Sequence, residues 1–156
     1  MGRFLRWVTA THTLRHHGHY RRQGYGHLYQ GRFKSFPVQD DGHFYVVCRY
    51  VERNPLRANL VKSAQDWPHG SLFRWNQSVQ PDPKVLSKWP IARLPNWNDR
   101  VNAALTSKEL ESVRTCVTRG RPFGDEEWVE RTADKHGLWF TLRPVGRPRK
   151  KKAGVK

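Results

Sequence analysis

The sequence predicts an α+β fold. Three observations carry that prediction: apolar residues at helical spacing near the start, an alternating stretch over residues 28–38, and later segments that open with helix-capping residues. Phe4, Trp7, Val8 and Leu14 recur at near-helical spacing, so residues 3–16 read as an amphipathic helix. It starts abruptly, with only the weak cap Gly2 before it. His16 to Gly26 is rich in glycine and arginine and reads as a loop. From Leu28 to Val38 a strand is expected, because Phe36 and Val38 alternate with polar neighbours.

Asp40 or Asp41 then caps a second helix that runs to about Asn54, where Pro55 disfavours the α conformation of the residue before it. At 100° per residue, Phe44, Val47, Cys48 and Val51 form its core stripe. Tyr50 and Asn54 lie beside that stripe one turn apart, so the phenol and the amide address the same region. Val61 to Leu72, with Trp67-Pro68, reads as connection and edge packing. Residues 76–103, with Pro81, Pro83, Pro90 and Pro95 among tryptophans, read as a linker that wraps the domain. The domain itself is expected to span residues 1–75.

Residues 104–142 read as a second, helical unit. Thr106 and Glu109 have capping-box spacing before a helix that runs to about Thr118. The run Gly120 to Gly124 breaks it, and Asp125, Glu126 and Glu127 place acids at the positive end of a further helix closed by Gly137. Two short helices about a Gly/Pro turn are compatible with a helix-turn-helix module and with any small helical hairpin. Residues 143–156 form a basic tail.

Charge points to a polyanionic partner. The 156 residues include 29 Lys+Arg against 13 Asp+Glu, a formal net charge of +16, and no acid occurs between Met1 and Gln39. Each phosphate that such a surface neutralises releases counterions, which makes DNA or RNA the natural partner and affinity steeply salt-dependent. Mean hydropathy is −0.85 and no run approaches the roughly 18 apolar residues of a membrane helix, so no membrane is expected. Cys48 and Cys116 lie far apart and follow no apolar leader, which makes a reduced, cytoplasmic setting the expectation.

Three segments in register resemble one family: Gly26-His-Leu-Tyr-Gln-Gly-Arg-Phe-Lys-Ser35, Cys48-Arg-Tyr-Val-Glu-Arg-Asn-Pro-Leu-Arg-Ala58, and Gly120-Arg-Pro-Phe-Gly-Asp-Glu-Glu-Trp128, with a closing Gly-Arg-Pro-Arg. Together they look like the REP-associated tyrosine transposases, relatives of the single-tyrosine HUH transposases. The resemblance implies an antiparallel transposase-like sheet with packed helices. It also implies action on single-stranded DNA at hairpin repeats, in which a tyrosine attacks a backbone phosphate with Mg²⁺ or Mn²⁺ as cofactor. Tyr50 matches that nucleophile, and Asn54 matches the polar metal ligand four residues on. The family's His-apolar-His pair belongs before the helix with which this chain opens, so the first strands, the first helix and that metal motif are expected to be missing. His17-Gly-His19 is the local imitation, in a stretch where nothing fixes two imidazoles. An amide oxygen alone is a poor divalent-cation site, and strand cleavage is not expected of this chain.

The remaining candidates are cationic. Arg49, Arg53 and Arg57 flank the tyrosine and fit a strand-binding groove or, equally, a solvated basic face. Arg32 and Lys34 interleave with His27 and Tyr29, the mixture that stacks bases while neutralising phosphate. Arg121 in the Gly/Pro turn and Arg147, Arg149 and Lys150 in the tail are further DNA-binding candidates, the tail as a minor-groove reader or an unspecific electrostatic arm. Cys48 and Cys116 read as small core residues. The alternative function is a stand-alone DNA-binding regulator that uses only the helical unit and the tail.

Overall fold

The computed structural model describes residues 2–22, 24–29, 31, 33–77, 86–144 and 146. They divide into two compact units, Met1–Ser35 and Phe36–Lys156. The first is built on α1 (Gly2–His19), which takes in part of the region expected to be a loop. The amides of Tyr20 and Arg22 extend the helix by donating to His16 O and His17 O, and Arg21 ends it in the left-handed region at φ 52°. None of its residues is buried. The predicted apolar stripe is on the surface, with Trp7 65 % and Leu14 75 % exposed.

The α+β expectation is overturned. Among the described residues there is no sheet, and residues 28–38 contribute only an isolated parallel bridge between Val38 and Phe123. Phe123 N donates to Pro37 O at 2.9 Å and Gln39 N donates to Phe123 O at 3.0 Å. Alternation in sequence makes a strand only where a partner backbone is available over several residues. Here Gly31 turns the chain at φ 78°, Pro37 has no donor, and the Phe123 segment is a turn between two helices.

The second unit is helical: α2 (Gly42–Glu52), α3 (Asn54–Arg57), a 3-10 turn at Ala64–Asp66, α4 (Ser71–Trp75), α5 (Trp97–Asn102), α6 (Ser107–Arg119), α7 (Glu126–His136) and α8 (Trp139–Leu142). Asp41 caps α2, its carboxylate accepting from His43 N at 2.8 Å. The helix stops at Glu52, and Pro55 serves in the opening turn of α3 rather than ending a longer helix. Residues 76–103, expected as a linker without regular structure, contain α5, and its Trp97 and Val101 are buried with Ala64 and Leu72 at the centre of the core.

The stripe of α2 that faces this core is rotated from the predicted one. Tyr45 and Cys48 pack against the core and Glu52 is buried, while Val51 is 53 % exposed. The reason lies in the aromatic composition of the core. Trp89 and Trp97 meet edge to face at 5.0 Å with Tyr45 beside them, and a buried indole N–H needs an acceptor. Glu52 provides it, accepting from Trp97 Nε1 at 2.6 Å with one oxygen and from Ser71 Oγ at 2.7 Å with the other. Burial and the adjacent Glu52 push the Cys48 thiol up to about 12, so it behaves as an inert core group.

The α6–α7 hairpin is fixed by its caps. Thr106 and Glu109 form a reciprocal capping box, and the Thr106 amide, reinforced by its hydroxyl and by Arg49, holds the Glu109 carboxyl below the ordinary carboxylate range. Gly120 closes α6 at φ 70°, Pro122 is buried, and Asp125 caps α7 through Trp128 N. Gln39 then clamps this turn, donating to Asp125 Oδ2 at 2.7 Å and accepting from Asp125 N at 2.9 Å.

Two substitutions test this arrangement. Glu52→Ala strands the Trp97 and Ser71 donors and is expected to lower unfolding stability by roughly 2–3 kcal/mol in urea titration. A Cβ at Gly124 would lie 2.5 Å from Gln39 Oε1 and 2.6 Å from Trp128 Cε3. Gly124→Ala is therefore expected to cost about 1–3 kcal/mol by overpacking, measured the same way.

Candidate nucleic-acid interface

Tyr50, Asn54 and Arg57 follow one another at helical spacing from α2 into α3, on the side away from the stripe that holds Glu52. The Arg57 backbone N–H donates to Arg53 O at 2.9 Å, which carries the helical path across the break. The guanidinium of Arg57 then lies over the Tyr50 ring, 4.7 Å from its centroid, and Nη2 donates to Asn54 Oδ1 at 2.5 Å. Cation–π attraction and a hydrogen bond thus hold one exposed cation between the phenol and the amide. Five donors on a planar fork leave several for an outside oxyanion.

Arg49 and Arg53 have a different placement. Arg49 Nε donates to Arg100 O at 2.9 Å, and its other nitrogens reach Ala103 O and Ala104 O at 3.4 Å and Glu109 Oε1 at 3.5 Å. Arg53 Nη1 donates to Val101 O at 3.1 Å and to Asn102 O. Both therefore serve the carbonyl end of α5, where helix carbonyls lack intrahelical partners and carry negative potential. Their guanidiniums are engaged inside the fold, whereas Arg57 is presented outward.

Lys34 is exposed in the first unit, which also brings Tyr29 Oη to His12 Nδ1 at 2.8 Å. Arg121 lines a concave surface of about 360 Å³ between α6 and α7, with Lys108 and Phe123. Arg32, Arg147, Arg149 and Lys150 lie outside the described residues. The exposed positions of α7 include Glu126, Glu127, Glu130 and Asp134, so this helix presents carboxylates to solvent.

The donor set at Tyr50 does not fit Mg²⁺ or Mn²⁺. Asn54 Oδ1 is taken by a guanidinium, and the charge beside it is positive. Among the described residues no three His, Cys, Asp or Glu side chains converge as ligands. His17 and His19 both belong to α1, where residues two apart point to different sides. His17 Nε2 lies 3.2 Å from Gly26 O.

Two contributors escaped the sequence reading. Beside Asn54 and Arg57 a shallow hollow of about 300 Å³ is completed by Pro55, Ala58, Leu60 and Trp67. Trp67 had read as edge packing, and the only signal in its favour was a tryptophan next to a turn. Glu52 had no signal, since a lone acid on a helix reads as solvated. No protein-family model, no curated protein and no solved structure matches the chain. No helix among the described residues is long and apolar enough to cross a membrane.

The placements of the arginines predict a separation of roles. Arg53→Ala is expected to cost about 1–3 kcal/mol in urea unfolding, because it leaves part-buried α5 carbonyls without their charged donor. Arg57→Ala, at an exposed position, should stay within about 0.5 kcal/mol of the parent.

Proposed function

We propose that this chain binds DNA in single-stranded or hairpin form, as a cytoplasmic protein of the REP-associated tyrosine transposase kind, and holds the strand without cutting it. The observation that carries this reading is the exposed Arg57 guanidinium held between Tyr50 and Asn54. A phosphate that enters there meets charge-assisted donors fixed in direction before it arrives. The net charge of +16 supports the same partner by drawing a polyanion toward the surface. Single strands are favoured because an unpaired backbone can follow a short stripe of one cation, one phenol and one amide, with aromatic faces available for bases.

The same geometry supports a reading without cleavage. Attack by a phenol on a phosphodiester requires a group that removes its proton and a centre that takes up charge on the phosphate. Arg57 can serve the second need but not the first, because a guanidinium has no capacity to accept a proton. The rival reading is a duplex-binding regulator that works through α6, α7 and the basic tail; α7 exposes Glu126, Glu127, Glu130 and Asp134 against Arg131 and Lys135, an excess of acid that weakens attraction to duplex phosphates.

A binding and nicking assay on the full chain tests the proposal. A hairpin-bearing single strand is expected to bind more tightly than duplex of the same length, with affinity falling steeply as salt rises and weakened by Arg57→Ala. Incubation with Mn²⁺ is expected to leave the strand intact for both the parent and Tyr50→Phe. A nick that requires Tyr50 would overturn the non-cleaving reading, and tighter binding to duplex would overturn the single-strand reading.

A further inference from the structure

The hollow beside Arg57 has features that the phosphate contact does not use. Three observations bear on it, all within the second unit. The first is its wall. Trp67 follows the 3-10 turn Ala64–Asp66, which is tied to α5 because Ala64 N donates to Asn102 Oδ1 at 2.9 Å and Asn102 Nδ2 donates to Gln65 Oε1 at 2.8 Å. Gly70 closes the following turn against the indole, where a Cβ would lie 3.3 Å from Trp67 Cδ1. The tryptophan is therefore held from both sides of its loop, with His69 edge-on at 5.2 Å.

The second observation is its rim. Leu60 is 61 % exposed, an apolar side chain kept out of the core. Asn59 in the left-handed region at φ 56° and the bond from Leu60 N to Pro55 O at 3.0 Å set that direction. The third is the charge beside the apolar wall. Arg57 and Asn54 line the same hollow, so a flat apolar surface, an amide and a cation share about 300 Å³. That volume is at the small end of ligand sites, which suits one residue of a strand.

We propose that this hollow is a subsite for a single unpaired nucleotide, its base against Trp67 and Leu60 and its phosphate on Arg57. The assignment rests on the strand-binding reading above and adds to it a base contact. Stacking on an indole is tolerant of sequence, because every base has a π face, so the subsite distinguishes an unpaired base from a paired or missing one rather than one base from another. Asn54, with its oxygen on Arg57, retains its amide N–H groups for the nucleotide edge.

Fluorescence anisotropy with the full chain separates the two levels. The probes are a labelled oligothymidylate strand and the same backbone with abasic residues. Trp67→Leu is expected to weaken binding of oligothymidylate by roughly 5- to 100-fold and to leave the abasic strand unchanged, whereas Trp67→Phe keeps most of the affinity. Leu60→Ser, at an exposed position that leaves the core intact, should act in the same direction with a smaller loss. Arg57→Ala is expected to weaken both strands alike and to reduce the salt slope by about one. Oligothymidylate binding that is unchanged by both Trp67→Leu and Leu60→Ser would overturn the subsite while the strand-binding reading stands. Failure of the parent to bind either strand would overturn both.

Discussion

The carboxylate of Glu52 lies where α2, α4 and α5 meet, and the arrangement of the second unit depends on it. A core with Trp89 and Trp97 gains much apolar burial from few residues, but each indole brings a polar N–H that cannot be left dry. Glu52 takes the Trp97 N–H and the Ser71 hydroxyl on separate oxygens, which fixes the rotation of α2 about its axis. Burial of an acid is costly by itself, and charge-assisted hydrogen bonds to both oxygens offset that cost. Arg93, stacked over Trp75 and Trp89, adds an attractive cation nearby, although burial lowers its own pKa.

Arg49, Arg53 and Arg57 are sorted by the partners within their reach. Arg49 and Arg53 reach the carbonyl end of α5, where they replace solvent on groups that a short helix leaves open. Arg57 falls with Tyr50 and Asn54 on the opposite side and stays exposed. Identical side chains thus have structural or surface roles according to the acceptors that other elements bring within reach. The proposed strand-binding surface is what remains when the inward positions have been used.

The same logic accounts for the Gly-Arg-Pro-Phe-Gly-Asp run. Gly120 adopts a positive φ, Pro122 is buried, Phe123 exchanges backbone hydrogen bonds with Pro37 and Gln39, Gly124 leaves room for Gln39 and Trp128, and Asp125 caps α7. Nearly every position in it has a packing or backbone duty. Arg121, with Pro122, Phe123 and Gly124, also lines the concave surface between α6 and α7.

What the sequence determined by itself is local. Helix starts at Asp41, Thr106 and Asp125, and stops at Gly120 and Gly137, follow from caps that act within four residues and need no distant partner. The pairing of Tyr50 with Asn54 was legible for the same reason, because helical spacing alone brings them together, whereas nothing in the sequence set Arg57 apart from Arg49 and Arg53. Tertiary structure decided everything that needs a second segment. Residues 28–38 alternate like a strand, yet among the described residues they form no ladder beyond an isolated bridge at Val38, since a ladder requires another extended chain and the segment available is the turn at Phe123. Residues 97–102 sit in a proline-rich stretch and still form the helix that supplies the core, because burial of Trp97 and Val101 outweighs weak local preference. Glu52 went inside because an indole N–H from a distant residue awaited an acceptor, a demand that no pattern within α2 could reveal.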